Sequence, residues 1–338
     1  MDCETDDSGI EKKGACSMTV QELGEKAAQG GAVSKEEALF LARAGLKELC
    51  RTANEIRKTV CGDAFDLCSI INGKSGKCPE DCKFCAQSGH YQTGAEFYGL
   101  LEEGEILAAA QKNRDGGAGR FSIVTSGKRL TDEEVGKLCK VYRRIKKECG
   151  ISLCASHGLL TRRQFGMLRD AGVSRYHNNL ETSRGYFPRI CTTHSYDDKL
   201  AAIRAAQAAG FEVCSGGIIG MGESMEDRID MALTLRKLGI RSVPLNILNP
   251  VKGTPLGGRA VLREGEAERT ATVFRFLLPD AQIRLAGGRI NLTDRGRRML
   301  GAGINAAITG DMLTTAGITM ESDRKMLREC GFRMDMRE

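Results

Sequence analysis

Three cysteines at C-x3-C-x2-C spacing lie in the stretch Gly76-Lys-Cys78-Pro-Glu-Asp-Cys82-Lys-Phe-Cys85-Ala-Gln-Ser88, among residues that favour turns. Three thiols this close together indicate a metal site. A structural zinc site closes with four ligands, commonly as two C-x2-C units, and this stretch contains one such unit. Thiolates also hold iron–sulfur cubanes, in which three cysteines leave one iron open for chemistry. The stretch therefore favours a catalytic cluster over a structural zinc ion.

The C-x3-C-x2-C motif resembles the cluster signature of the radical S-adenosylmethionine enzymes. Within that superfamily, the longer string from Cys78 to Ser88, followed by His90-Tyr91, resembles the biotin synthase family. Further segments follow in that family's order: Asn178–Thr182, Thr192-Thr193 with Tyr196, Val213–Ile218 with Gly220 and Gly222-Glu223, Val251–Pro255 and Arg284–Arg289. The resemblance extends from about residue 60 to about residue 332.

Composition sets broad limits on function. The 338 residues are 41% hydrophobic, which suits one large domain or two modest ones. The net charge of +6 is not gathered into a basic stripe, so we expect no nucleic-acid binding. Fourteen cysteines in this length are too dilute for a disulfide scaffold. An acidic start and short apolar runs predict no signal peptide and no membrane span, so we expect a cytoplasmic protein.

After residue 60, short apolar runs alternate with longer helical patterns, as is typical of βα units around a parallel sheet. The predicted strands lie near residues 66–71, 120–125, 151–155, 174–179, 212–218, 242–247, 282–286 and 303–308. The predicted helices lie near residues 103–115, 131–148, 161–171, 196–209, 224–238, 264–278 and 293–302. Eight such units predict an α/β fold of the (β/α)8 TIM barrel type, which the resemblance also implies. A doubly wound open sheet is the alternative.

An N-terminal helical extension is predicted before the barrel. Ser34 and Glu37 resemble a capping box, and apolar residues at helical spacing predict one amphipathic helix over 35–60. The predicted organisation is a mobile tail at 1–16, N-terminal helices at 17–60, a radical S-adenosylmethionine barrel at 61–332 and a C-terminal tail at 333–338. Cys3 and Cys16 in the first tail have no assigned task.

The cysteine loop follows the first predicted strand, at the end of a barrel where functional residues gather. The resemblance implies that Cys78, Cys82 and Cys85 are the catalytic ligands of a [4Fe-4S] cluster. In that family the amino and carboxylate groups of S-adenosylmethionine chelate the fourth iron. An electron from the cluster then cleaves the sulfonium to methionine and a 5′-deoxyadenosyl radical.

The resemblance also implies an S-adenosylmethionine site formed by Asn179, Glu181, His194, Gly217 and Gly220. A carboxylate suits a ribose because it accepts hydrogen bonds from both hydroxyl groups of a diol. Two of these residues depart from the family pattern, which usually has aspartate at the position of Glu181 and arginine at that of His194.

The implied substrate is dethiobiotin, whose ureido ring would bind His177, Asn179 and Asn246. A side-chain amide suits a urea because both offer hydrogen-bond donors and acceptors. His177 stands where the family usually has asparagine. His177 and His194 could instead be ordinary strand or loop histidines.

A second metal site is predicted inside the barrel. Strand parity places Cys68, Cys154 and Cys214 in one inward layer with Arg284. The resemblance implies that Cys154 and Cys214 bind an auxiliary iron–sulfur cluster. The family's [2Fe-2S] form takes a further cysteine from strand two, where this chain has Ser122. We therefore favour a four-iron cluster with Arg284 as ligand or neighbour, on Cys61, Cys68, Cys154 and Cys214. The alternative is a [2Fe-2S] cluster on Cys68, Cys154, Cys214 and Arg284.

The predicted function is that of the biotin synthase family, in which a radical enzyme inserts sulfur from an auxiliary cluster between two unactivated carbons of dethiobiotin. Reduced flavodoxin or ferredoxin is expected as electron donor, and a homodimer is expected. The rivals are another radical S-adenosylmethionine barrel, similar to a hydrogenase maturase or methylornithine synthase, and a non-catalytic iron–sulfur or zinc scaffold. Cys191, beside Thr192-Thr193, has no assigned role.

Overall fold

The computed structural model describes residues 18–314 and 317–334. The predicted tail at 1–16 lies outside the described residues, as do residues 335–338 of the predicted C-terminal tail. No helix in the part of the chain that the structure describes is long and apolar enough to cross a membrane.

The core of the molecule is a closed barrel of parallel strands. Its strands are β1 (Ala64–Lys74), β2 (Arg120–Thr125), β3 (Ser152–Ser156), β4 (Arg175–His177), β5 (Glu212–Cys214), β6 (Gly217–Ile219), β7 (Ser242–Ile247), β8 (Gln282–Leu285) and β9 (Ala306–Thr309). They follow one another in chain order around the barrel, β5 and β6 both pair with β7, and β9 closes on β1. The predicted (β/α)8 barrel is confirmed, and the open-sheet alternative is wrong.

The fifth predicted strand is interrupted between β5 and β6. The neighbouring strand β7 carries Pro244, which has no amide hydrogen to donate to the sheet. Opposite it lies Gly216, where an added Cβ would stand 2.0 Å from the Pro244 carbonyl oxygen. The two strands thus approach closely at a point where regular pairing is lost.

Helices surround the barrel, and several of them begin at a residue whose side chain caps the first turn. They are α1 (Val20–Ala28), α2 (Lys35–Leu41), α3 (Leu46–Cys61), α4 (Glu103–Gly116), α5 (Asp132–Glu148), α6 (Arg162–Asp170), α7 (Tyr196–Ala208), α8 (Met225–Lys237), α9 (Glu264–Leu277), α10 (Arg297–Leu300) and α11 (Met320–Glu329). The predicted capping boxes of Ser34 with Glu37 and of Thr131 with Glu134 are confirmed. Helices α1, α2 and α3 pack against α8 and α9, so the N-terminal extension lies on the outside of the barrel.

Three local predictions are wrong. The single helix over 35–60 is two helices, because the chain leaves α2 and starts α3 from the extended residue Gly45. The helix near 293–302 is reduced to α10, which follows Gly296 in a left-handed conformation with φ 90°. Two residues assigned to the C-terminal tail form the short strand β10 (Arg333–Met334), which pairs in parallel with β1.

Candidate active site

The cysteine loop begins at the C-terminal end of β1 and folds back on itself through its own backbone. The Cys78 amide donates to the Gln87 carbonyl (3.0 Å), and the Gly89 amide donates to the Cys78 carbonyl (2.7 Å). Lys77 adopts a positive φ of 47°, which is uncommon for a residue with a side chain. The loop therefore holds a defined shape through hydrogen bonds that need no bound metal.

Two sulfur atoms of this loop, those of Cys78 and Cys85, are each influenced by their own pair of backbone N–H groups. Backbone N–H groups of Glu80 and Gly127 act to lower the pKa of the Cys78 thiol, and those of Gln87 and Ser88 act in the same way on Cys85. Burial nevertheless raises the pKa of both thiols, that of Cys85 to about 11. Such N–H groups stabilise the thiolate form of a cysteine, which is the form that binds a metal ion. Cys78 and Cys85 thus fit the ligand role that was predicted for them.

The loop is anchored to the segment between β4 and α7 through Asp81. Its carboxylate accepts from the backbone amides of Thr192 (2.8 Å) and Thr193 (3.2 Å). Burial by itself would raise the pKa of Asp81, but these hydrogen bonds hold it well below its usual range. The Thr192-Thr193 pair, part of the family resemblance, therefore acts in this structure as a clamp on the cysteine loop.

Cys191 belongs to this region, although sequence reasoning assigned it no role. Its sulfur lies 3.8 Å from the Cys82 sulfur and 3.2 Å from His194 Nδ1. The hydrogen bond from Cys82 is the largest influence, and it lowers the pKa of Cys191 to about 4 against the effect of burial. Its position directly before the Thr192-Thr193 pair is the sequence feature that could have identified Cys191 as a site residue.

His194 is buried in the same place. Its Nδ1 contacts the Glu80 carboxylate as well as Cys191, and its ring packs edge-on against Phe187 at 5.6 Å. Only 6% of its side chain is exposed. The predicted role of His194 toward S-adenosylmethionine stays a prediction, because its described partners all belong to the protein.

Asn179 and Glu181 follow β4 and join it to the next strands. Asn179 Oδ1 accepts from the Gly216 amide (3.0 Å), and Asn179 Nδ2 lies 3.4 Å from Glu181 Oε2. Glu181 has a positive φ of 70° and pairs through its backbone with Gly217. Non-glycine residues in this conformation are strained and concentrate at functional sites. The charge of Glu181 also helps to raise the pKa of the Cys85 thiol, so the two side chains lie in the same region.

The structure gives reasons for Gly217 and Gly220 that need no ligand. A Cβ on Gly217 would lie 2.4 Å from both the Glu181 carbonyl oxygen and Met231 Sδ. Gly220 has a positive φ of 95°, and its amide donates to Glu223 Oε1 (2.8 Å). The predicted contact of these two glycines with S-adenosylmethionine stays a prediction.

Asn246 lies in β7 and bridges two neighbouring segments with its side-chain amide. Its Nδ2 donates to the Gly217 carbonyl (3.0 Å), and its Oδ1 accepts from the Gly287 amide (2.8 Å). One N–H and one lone pair of the amide are left for another partner. Asn246 therefore links β6 to the segment after β8 at the barrel mouth, independently of any contribution to substrate binding.

Inside the barrel, Cys68, Cys154 and Cys214 are brought together with Arg284. All three thiols are at most 7% exposed, and Arg284 is 2% exposed. Burial raises the pKa of Cys68 to about 12. For Cys214 burial acts in the same direction, but His177 and the nearby arginines outweigh it and lower the pKa to about 6. His177 thus faces the buried thiol Cys214, in addition to its predicted role toward substrate.

Two further buried arginines, which sequence reasoning missed, line this layer. Arg120 and Arg175 exert charge effects on Cys154, and Arg284 forms an ion pair with Asp66 at 2.9 Å. Arg120 Nε is buried and has no hydrogen-bond partner among the described residues. Three buried guanidinium groups face two partly or largely exposed carboxylates, Asp66 and Glu212, so the layer keeps a net positive charge. A cluster of thiolate-bound iron and sulfide, which carries negative charge, fits these residues.

Cys61 lies away from this layer. It ends α3, and its sulfur is 3.4 Å from both the Pro279 carbonyl oxygen and Arg275 Nη1. It lines a cavity of about 220 Å³ that Asp66 and Arg120 also line. The structure does not bring Cys61 into contact with the three barrel thiols, and its predicted role as a fourth thiolate stays a prediction.

Two family models match the chain. The Radical SAM superfamily matches residues 74–235, and the Biotin and Thiamin Synthesis associated domain matches residues 244–333. A biotin synthase of Akkermansia muciniphila is 56% identical over 268 residues, which are 79% of this chain and 84% of that protein. A biotin synthase of Clostridium botulinum strain Hall is 54% identical over 273 residues, which are 81% of this chain and 86% of that protein.

Solved structures share the fold at much lower identity. The crystal structure of a methylornithine synthase superposes with a TM-score of 0.81 at 20% identity, covering 93% of this chain and 97% of that one. At this identity the likeness shows the barrel architecture alone.

Proposed function

The chain belongs to the biotin synthase family of radical S-adenosylmethionine enzymes, and we propose that it converts dethiobiotin to biotin by inserting sulfur between two unactivated carbons. The observation that carries the proposal is the presence of two separate thiol sets in one barrel. One set lies in the loop after β1, and the other is buried among arginines inside the barrel. Sulfur insertion needs both a radical initiator and a sulfur source.

Cys78, Cys82 and Cys85 hold the first cluster in this proposal. The backbone N–H groups that act on Cys78 and Cys85 support it, because they stabilise the thiolate forms of both residues. When bound, a [4Fe-4S] cluster at this loop supplies the electron that cleaves S-adenosylmethionine to methionine and a 5′-deoxyadenosyl radical.

Asn179, Glu181, His194, Gly217 and Gly220 form the S-adenosylmethionine site in this proposal. Glu181 supports it best, because its backbone is strained and its carboxylate lies in the same region as Cys85. That carboxylate accepts hydrogen bonds from the ribose hydroxyls, and Asn179 supports its orientation.

His177, Asn179 and Asn246 recognise the ureido ring of dethiobiotin in this proposal. Asn246 offers one N–H and one lone pair beyond its two protein hydrogen bonds. Those two hydrogen bonds fix the orientation of the Asn246 amide. Its remaining N–H and lone pair can therefore bind the substrate without the side chain first having to become ordered.

Cys68, Cys154 and Cys214 hold the auxiliary cluster in this proposal, with Arg284 as ligand or neighbour. When bound, this cluster supplies the sulfur atom. Arg120, Arg175 and Arg284, all of which are buried, balance its negative charge. We favour a four-iron cluster with Cys61 as a fourth thiolate over a [2Fe-2S] cluster. That choice requires Cys61 to exchange its contacts with Arg275 and Pro279 for the metal.

The electron donor is a reduced flavodoxin or ferredoxin in this proposal. A cavity of about 820 Å³ opens beside the cysteine loop and is lined by Pro79 together with Lys74, Lys77, Lys128 and Arg129. Four basic side chains against one acidic side chain, Asp198, in this lining support docking of an acidic donor protein near the first cluster. A homodimer and a cytoplasmic location complete the proposal.

The test is anaerobic reconstitution with iron and sulfide, followed by reduction with S-adenosylmethionine and dethiobiotin. The expected products are 5′-deoxyadenosine and biotin, the latter only when dethiobiotin is added. Formation of 5′-deoxyadenosine without biotin would favour another radical S-adenosylmethionine barrel enzyme. Formation of neither product in a chain that contains both clusters would favour a non-catalytic scaffold.

A further inference from the structure

One group of three metal-binding side chains lies close together in the described part of the chain, and it differs from the predicted cluster set. Its members are Cys82, Cys191 and His194, whose ligand atoms all lie within 4.8 Å of one another. Cys78 and Cys85 are not members of this group. Cys82 is thus shared between the proposed cubane and a second set of donors that comes from a different part of the chain.

The sulfur separation matches a tetrahedral metal site. Two sulfurs that are each about 2.3 Å from a zinc ion at the tetrahedral angle are about 3.8 Å apart. The Cys82 and Cys191 sulfurs are separated by 3.8 Å. No disulfide joins them, so both thiols are free to bind a metal.

His194 supplies a nitrogen donor on the same side. A tetrahedral zinc site places a thiolate sulfur and an imidazole nitrogen about 3.6 Å apart. His194 Nδ1 lies 3.2 Å from the Cys191 sulfur, a difference that a small rotation of the ring corrects. The Glu80 carboxylate also contacts His194 Nδ1, but it is not among the donor atoms that lie within 4.8 Å of one another.

The hydrogen bonds of this group do not oppose metal binding. Besides its contacts with Cys82 and His194, the Cys191 sulfur lies 3.3 Å from Asp81 Oδ1 and 3.6 Å from Thr193 Oγ1. When a metal binds the Cys191 sulfur, Asp81 keeps the four hydrogen bonds that it accepts from the backbone amides and hydroxyl groups of Thr192 and Thr193. The carboxylate is therefore not left buried without a partner.

We propose that Cys82, Cys191 and His194 form a mononuclear site for a divalent metal such as Zn²⁺ or Fe²⁺ in the chain that lacks its cubane, with the fourth coordination position left to water. Two thiolates and an imidazole are a donor set that suits these ions. Because one Cys82 sulfur serves both sites, the mononuclear metal and the cubane compete for it. This last point rests on the proposed function, whereas the mononuclear site itself does not.

Co²⁺ is the probe for the first experiment, since it occupies zinc sites and reports tetrahedral thiolate coordination through its visible spectrum. The cluster-free full-length chain is titrated anaerobically with Co²⁺. We expect one tight equivalent with sulfur-to-cobalt charge-transfer bands for two thiolates. Cys191→Ser should lose about half of that charge-transfer intensity and bind Co²⁺ at least tenfold more weakly, which corresponds to about 1.4 kcal/mol.

The decisive control is the double variant Cys78→Ser/Cys85→Ser, which cannot form the proposed cubane. It should retain the wild-type Co²⁺ spectrum and affinity, because neither residue belongs to the mononuclear site. A spectrum that is unchanged by Cys191→Ser, or one that is lost in the double variant, overturns the proposal. Circular dichroism of each variant identifies any loss of fold, and Cys191→Ala supplies a second test if Cys191→Ser does not fold.

The second experiment measures competition. The wild-type chain carrying one equivalent of Zn²⁺ is reconstituted with iron and sulfide, and bound iron and sulfide are followed over time. We expect Zn²⁺ to slow assembly of the first cluster several-fold in the wild-type chain and to have no effect in Cys191→Ser. Equal rates with and without Zn²⁺ in the wild-type chain refute the competition. Failure of the zinc-free wild-type chain to form any cubane refutes the proposed function instead, and leaves the Co²⁺ result standing.

Discussion

Replacing Asn246 by alanine removes both hydrogen bonds through which this side chain joins β6 to the segment after β8. The Gly217 carbonyl and the Gly287 amide, at 3.0 Å and 2.8 Å in the structure, would lose their partner. Each buried polar group left unpaired costs about 1–3 kcal/mol. Both hydrogen bonds are only partly buried, so we expect Asn246→Ala to lower the free energy of unfolding by about 2 kcal/mol, at the lower end of this range.

The assay is urea denaturation of the cluster-free chain under anaerobic conditions, so that metal loss does not contribute. Asn291→Ala is the matched control, because Asn291 Nδ2 makes one side-chain hydrogen bond, to Asn249 Oδ1 at 3.0 Å. Its loss should cost about 0.5–1.5 kcal/mol. Equal unfolding free energies for Asn246→Ala and the wild-type chain would show that the bridge contributes nothing to stability.

The same substitution tests the substrate role of Asn246 separately. Dethiobiotin binding by the reconstituted variant should weaken about tenfold or more, since the free N–H and lone pair of the amide are lost. Unchanged affinity in equilibrium titration would remove Asn246 from the substrate site while leaving its structural role intact.

Three further outcomes are expected. Cys82→Ala should abolish 5′-deoxyadenosine formation after reduction, whereas Cys50→Ala, whose thiol lies in α3, should not; undiminished product in Cys82→Ala contradicts the cluster assignment. Iron analysis with Mössbauer spectroscopy should give about eight irons per chain for a four-iron auxiliary cluster and about six for a [2Fe-2S] cluster. Cys68→Ser should lose the auxiliary signal, and a Cys61→Ser variant that keeps it in full excludes Cys61 as a ligand. Burial lowers the pKa of His157 to about 3, so the folded chain binds its proton less readily than the unfolded chain. Stability should therefore fall by about 1.4 kcal/mol per pH unit as the pH drops below about 6.5, and His157→Gln should lack this slope in urea unfolding.

The amino-acid sequence alone was sufficient for features that depend on near neighbours in the chain. The spacing of Cys78, Cys82 and Cys85, the capping pairs Ser34–Glu37 and Thr131–Glu134 and the alternation of strands and helices are all local patterns. A parallel barrel follows from that alternation because its connections are right-handed and short. For the same reason, the inward parity of their strands is enough to predict that Cys68, Cys154 and Cys214 lie together.

Only the tertiary structure decided which distant side chains meet. Cys191 contacts Cys82 across 109 residues of sequence, and Asn246 bridges Gly217 and Gly287, which are 29 and 41 residues away. No periodicity encodes these pairs, because they arise where separate loops pack at the barrel mouth. The position of Cys61 at the end of α3, apart from the barrel thiols, likewise depends on how that helix packs on α9. Local patterns are set by backbone hydrogen bonding and burial within a few residues, whereas loop-to-loop contacts are set only when the barrel closes.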